Sequence, residues 1–120
     1  MLREIKNVRQ HAEEGYRRWF VNDFFDLIVW YNKGTVTGFQ LCYDKTGNER
    51  SLTWNRDRGY SHNKIDDGEV TGHNKMTPIL VADGLFDKNS IAEKFRSAGR
   101  GIDAELAAFI YNKLLAARGI

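Results

Sequence analysis

From Tyr16 to Asn55 the chain is a series of aromatic and β-branched runs separated by turn-forming clusters, and this pattern limits the fold more than any other feature of the sequence. Tyr16 to Val21, Phe24 to Tyr31, Thr35 to Tyr43 and Glu49 to Asn55 carry the residue types that suit a pleated, half-buried surface. Between them stand Asn22-Asp23, Asn32-Lys33-Gly34 and Asp44-Lys45-Thr46-Gly47-Asn48, rich in residues that reverse a chain. Connections this short join antiparallel neighbours, because parallel strands need a crossover of a dozen or more residues. The block predicts an antiparallel meander.

The middle turn predicts a register. Asn32-Lys33-Gly34 reads as a three-residue hairpin loop with a left-handed glycine, which sets Tyr31 against Thr35. Val29, Leu27 and Phe25 then face Thr37, Phe39 and Leu41, while on the other face Asp26 meets Gln40 and Phe24 meets Cys42. A two-residue loop would set Asp26 against Leu41, polar against apolar, so the first register is preferred.

Around the meander, Leu2, Ile5, Val8 and Ala12 recur every three or four positions and predict an amphipathic helix over 2–14, stopped by Gly15. Residues 56–77 form a polar stretch of little periodicity, read as a long loop. The run from Thr77 to Ala82 reads as a buried fifth strand, with Pro78 near its start, where a strand tolerates it. Ser90-Ile91-Ala92-Glu93 has the form of a capping box opening a short helix, and Gly99-Arg100-Gly101 breaks it. Asp103 caps a last helix whose face is Leu106, Phe109, Ile110, Leu114 and Ala117. The expected fold is a single α+β domain over residues 1–120. It has an antiparallel meander of four to five strands, an N-terminal helix and two C-terminal helices packed on the sheet.

Composition excludes several classes of function. Lys and Arg number 18 against 16 Asp and Glu, a net charge of +2 that is too mild for wide contact with duplex DNA or an anionic membrane. A single cysteine can form neither an internal disulfide nor a thiolate metal cluster. No apolar run approaches the length of a membrane span, and the first residues are charged where a secretory signal would be apolar. The expected setting is the cytoplasm.

Within that frame the best lead is an alternation. Arg50, Leu52, Trp54, Arg56, Arg58 and Tyr60 all occupy even positions, so a strand continuing to residue 60 would place guanidinium groups and aromatic rings on one face. Arg50, Trp54, Arg56, Arg58 and Tyr60 are therefore the candidate binding residues for an anionic ligand: a nucleotide, a short single-stranded nucleic acid or an acidic peptide. Bases stack on aromatic rings, and Arg matches phosphate or carboxylate with a planar fork. The plainer alternative is a core strand running into a charged loop.

A second lead is the set His62, Asp66, Asp67, Glu69 and His73, imidazoles and carboxylates of metal-ligand type within one loop. It would support a metal-dependent enzyme, although it lacks the rigid helical His pair and solvated loop carboxylates explain it as well. No cofactor is otherwise implied. Asp26, set among Phe24, Phe25, Leu27 and Ile28, is costly to bury without a partner, and with Gln40 it forms a candidate polar pocket. Cys42, mid-strand and far in sequence from any base, reads as a buried small hydrophobe. Gly99-Arg100-Gly101 lacks the spacing of a phosphate loop and reads as punctuation between helices.

Finally, one sheet face carries Phe25, Leu27, Val29, Phe39 and Leu41 and should be the core, yet the other still carries Phe24, Ile28, Trp30 and Val36. Either the N-terminal helix or a second copy of the chain must cover it, and a homodimer is favoured. The strings Phe39-Gln40-Leu41-Cys42-Tyr43-Asp44-Lys45 and Lys75 to Gly84 resemble a family of short bacterial proteins of unknown function. That resemblance spans nearly the whole chain and implies a bacterial source and one compact domain, but no activity.

Overall fold

The structure, a computed structural model, describes residues 1–10, 15–47, 49–66, 79–82 and 86–117. It is α+β. Strands β1 (Arg3–Glu4), β2 (Tyr16–Val21), β3 (Phe25–Asn32), β4 (Thr35–Tyr43), β5 (Arg50–Asn55), β6 (Gly59–Asp66) and β7 (Ile79–Ala82) form one sheet in the order of the sequence, each antiparallel to the next. Two helices follow, α1 (Lys88–Ala98) and α2 (Ala104–Ala116), joined by a 3-10 turn at Gly99–Gly101.

The helices lie on one face only. Phe86, just ahead of α1, meets Tyr43 and His62; further along, Lys94 sits over Phe24 and Phe95 packs edge-on to Phe25. The Ala98 carbonyl then accepts from the Leu2 amide at 2.9 Å, so α1 crosses the sheet from β6 towards β1. Helix α2 returns: it starts where Asp103 approaches Arg18 of β2, and its Phe109 and Lys113 reach Trp54 of β5. Beneath this hairpin, Phe20, Phe25, Leu27, Val29, Phe39, Leu41 and Leu52 are buried to 1% exposure or less, with Phe95, Ile110 and Leu114 pressing from above. The apolar face assigned from sequence is the core.

The sheet has seven strands where four to five are expected, because β1 falls in the expected N-terminal helix and β6 in the stretch 56–77 expected as a loop, of which residues 67–77 lie outside the described residues. Two further expectations need correction. There is no helix among the described residues 2–10. Arg3 and Glu4 pair with Val21 and Phe20, the Ile5 amide donates to the Trp19 carbonyl at 2.8 Å, and Gln10 bonds both the amide and the carbonyl of Arg17 through its side chain. The unpaired edge of β2 offers this segment backbone hydrogen bonds that an isolated helical turn cannot match. Its apolar residues are also consumed differently, since Leu2 is buried against the α1 end while Ile5 and Val8 are only half-buried. Residues 11–14 lie outside the described residues.

The second correction concerns the β3–β4 register. Asn32 pairs with Thr35, so the loop has two residues, and Lys33 (φ 54°) and Gly34 (φ 81°) both take the left-handed conformation of a type I′ turn. This loop would have mismatched the faces, and a bulge repairs the mismatch. Trp30 pairs with Gly38 and Tyr31 with Val36, leaving Thr37 as the extra residue on β4. Beyond the bulge Leu27 faces Leu41, Val29 faces Phe39 and Asp26 faces Cys42. The bulge also turns Val36 onto the core, and Phe24 bends towards α1.

Smaller shifts occur elsewhere. Asp87, not Ser90, caps α1, with its Oδ1 accepting from the Ser90 amide at 3.3 Å. Asp103 occupies the cap position of α2 without a side-chain cap bond, its carboxylate lying 3.4 Å from Arg18 instead. That guanidinium is the hub of the β1–β2 edge: it donates to both Glu4 oxygens at 2.9 and 3.0 Å and to the Tyr31 hydroxyl at 3.2 Å. Arg18 thereby holds Glu4 below the usual carboxylate range.

Candidate interaction surface

Alternation along β2–β6 sends every second side chain to the face the helices leave open. On β2 and β3 these are Arg17, Trp19, Val21, Ile28 and Trp30, with Asp26; on β4 to β6 they are Gln40, Cys42, Ser51, Thr53, Asn55, Ser61 and Asn63. One half is aromatic and aliphatic, the other small and polar. The charges are few. Asp26 accepts from Trp19 Nε1 at 3.4 Å and lies 3.6 Å from the Lys45 ammonium, while Gln40 donates to Thr53 Oγ1 at 3.2 Å. Ser51 Oγ is buried with no hydrogen-bond partner among the described residues.

Asp26 and Gln40 share this face but do not face each other, since the bulge sets Asp26 against Cys42 and Ile28 against Gln40. Cys42 sits between Asp26 and Ser51. Burial, reinforced by the carboxylates of Glu49 and Asp26, pushes its thiol up to about 12, so it is a neutral thiol near pH 7. The Trp19 and Val21 contribution is absent from the expected surface; the signal for it was the period-2 pattern of residues 16–21.

The Arg/Trp/Tyr alternation does not become one face. Asn55 Oδ1 accepts from the amides of Asp57 (2.8 Å) and Arg58 (3.2 Å), and Gly59 takes φ 82°, so the chain reverses at Arg56–Arg58. Arg56 and Arg58 are exposed on this turn, while Arg50 lies at the far end of β5, about 20 Å away at strand rise. Trp54 and Tyr60 do come together as a cross-strand pair, but on the helix-facing side. There Trp54 contacts Phe39 and Phe109, with the Lys113 ammonium 4.4 Å from its ring centre, and the Tyr60 hydroxyl donates to the Lys113 carbonyl at 2.7 Å. The aromatic pair anchors α2.

Of the expected metal set, His62 is part of β6 and 3% exposed. It stacks with Tyr43 at 6.0 Å and hydrogen-bonds the Tyr43 hydroxyl through Nε2. Its ring braces the sheet against Phe86. Asp66 ends β6, while Asp67, Glu69 and His73 lie outside the described residues. Among the described residues no three His, Cys, Asp or Glu side chains group as metal ligands, and no helix is long and apolar enough to cross a membrane.

The described residues thus form an antiparallel sheet roofed on one side by a helical hairpin, with Trp19, Val21, Ile28 and Trp30 on the other face. Comparison with family models, curated proteins and solved structures finds no match to this chain.

Proposed function

We propose that the chain is a small binding module that works as a pair, with the open sheet face of one copy laid on that of another. The observation that carries this is the location of Trp19, Val21, Ile28 and Trp30 on a face that neither helix reaches; Trp19 alone is 38% exposed. Antiparallel sheets that face water normally turn polar residues outward. Here half of the face does not, and the N-terminal segment, the other expected cover, runs along the β2 edge and packs under the α1 end.

Asp26 and Lys45 offset each other on this face, and Arg17, the cation opposite Trp30, turns its Nε to the Arg9 carbonyl. A lone free cysteine suits a reducing compartment and supports the reading of a cytoplasmic module.

Sedimentation velocity at micromolar concentration tests the pairing. The unaltered chain should sediment as a dimer, and Ile28→Asp as a monomer with an unchanged circular dichroism spectrum. A monomeric unaltered chain, or an Ile28→Asp dimer, overturns the proposal.

A further inference from the structure

A groove of about 380 Å³ opens between α1 and α2 on the surface turned away from the sheet. It exists because α2 presents Ala104, Ala107 and Ala108 there, side chains of one methyl each, opposite Gly99 at the end of α1. A Cβ on Gly99 would stand 3.3 Å from Ala107 Cβ, so the glycine sets how closely the helices approach at that end. Tyr111 and Ile102, both half-buried, wall the groove above Phe95. Its volume falls in the range of small-molecule sites.

The lining contains no carboxylate, but it contains two guanidinium groups. Arg96 and Arg100 are spaced four apart, so they project on the same side of the helical run. Both are exposed. Arg96 is shared with Glu93 at 3.4 Å, in a pair about two-thirds exposed at each end and so worth little. Arg100 has no ion-pair partner among the described residues, and the nearby Asp103 is committed to Arg18. An apolar trough with an arginine rim is complementary to a ligand with an apolar body and one anionic end.

We infer that this groove binds a small amphipathic carboxylate, with its acyl or aryl body along Ala104, Ala107, Ala108 and Tyr111 and its carboxylate forked by Arg100, with Arg96 beside it. From Ala104 to Tyr111 the trough is about 10 Å long at helical rise, the reach of a short acyl chain. These arginines are not those of the site expected from sequence, Arg50, Arg56 and Arg58. The site lies on the opposite side of the molecule from the open sheet face and stands whether or not that face pairs.

The test is titration of the full chain with octanoate and, separately, with octanol, followed by backbone amide shifts in ¹H–¹⁵N spectra. Octanoate should move the amides of Gly99, Arg100 and Ala107 to Tyr111 and leave those of β5 and β6 in place. Octanol should bind at least tenfold more weakly. Arg100→Gln should weaken octanoate at least tenfold without changing octanol, and Ala108→Leu, a substitution at an exposed helical position, should fill the trough and abolish both. Octanoate shifts that are absent or scattered, equal binding of octanol, or an Arg100→Gln protein that binds octanoate unchanged would each overturn the assignment.

Discussion

Leu27 and Ile28 are neighbours in the chain and opposites in the fold, and truncating each to alanine separates the two faces energetically. Leu27 is fully buried, paired with Phe20 on β2 and Leu41 on β4. Removing roughly three methylene equivalents forfeits about 2.4 kcal/mol at ~0.8 kcal/mol each. The cavity left behind raises the cost, and about 3–4 kcal/mol sits inside the range known for buried leucines. A chain of this length carries roughly 6–18 kcal/mol in total, so the loss is a large fraction of it. With a urea slope near 2 kcal/mol/M, the midpoint for Leu27→Ala should fall by about 1.5–2 M. Ile28 is half-buried and outside the core cluster, so Ile28→Ala should cost clearly less than Leu27→Ala, about 1–2 kcal/mol. Urea titrations followed by tryptophan fluorescence provide the readout. Both variants belong at one low protein concentration, because dissociation of a dimer adds a concentration-dependent contribution to apparent stability. A Leu27→Ala midpoint lowered by less than about 0.5 M, or an Ile28→Ala midpoint lowered equally, would show that the core lies on the other face.

Two further outcomes follow from particular atoms. Because burial and two carboxylates raise the Cys42 thiol to about 12, its alkylation by iodoacetamide should climb steadily from pH 7 through pH 10, where an ordinary thiol levels off near 9; a plateau near 9 refutes the raised value. A Cβ on Gly101 would lie 2.1 Å from the Leu2 carbonyl oxygen, so Gly101→Ala should prise the N-terminal segment off the 3-10 turn and cost about 1–3 kcal/mol. Limited proteolysis should then cut within residues 1–10 well before the core, and an unaltered cleavage pattern would count against that contact.

The meander is legible in the sequence because its strands alternate strongly and its turns are rich in Asn, Asp and Gly. Strand β6 is not, and the reason is chemical. Its helix-facing residues are Tyr60, His62 and Lys64, each apolar in its body and polar at its tip, so the sequence reads as polar throughout although His62 is buried. The register shows a subtler failure. Judging the β3–β4 hairpin by polar matching was sound, but a bulge at Thr37 achieves the same matching from a shorter turn, and no local propensity announces a bulge. The N-terminal segment fails for a tertiary reason, since the edge of β2 competes for backbone groups that a three-to-four spacing assigns to a helix. For the sites, the open face is legible in Ile28 and Trp30, whereas the Arg50–Tyr60 alternation assumes a strand that Asn55 and Gly59 end.

Each strand's sheet neighbours are also its sequence neighbours, whereas the roof over the core comes from the last elements described. The meander therefore has low contact order and can zip hairpin by hairpin as it leaves the ribosome. Its apolar face has no cover until α1 and α2 follow, and the 51 residues after Asp66 up to Ala117 take about 3–10 s to synthesise at ordinary rates. During that interval Phe25, Leu27, Phe39 and Leu41 are bare on one side of the nascent sheet while Trp19, Ile28 and Trp30 are bare on the other. A helper suited to this protein in the cell would be one that holds apolar strands for those seconds, rather than one that speeds a slow isomerisation.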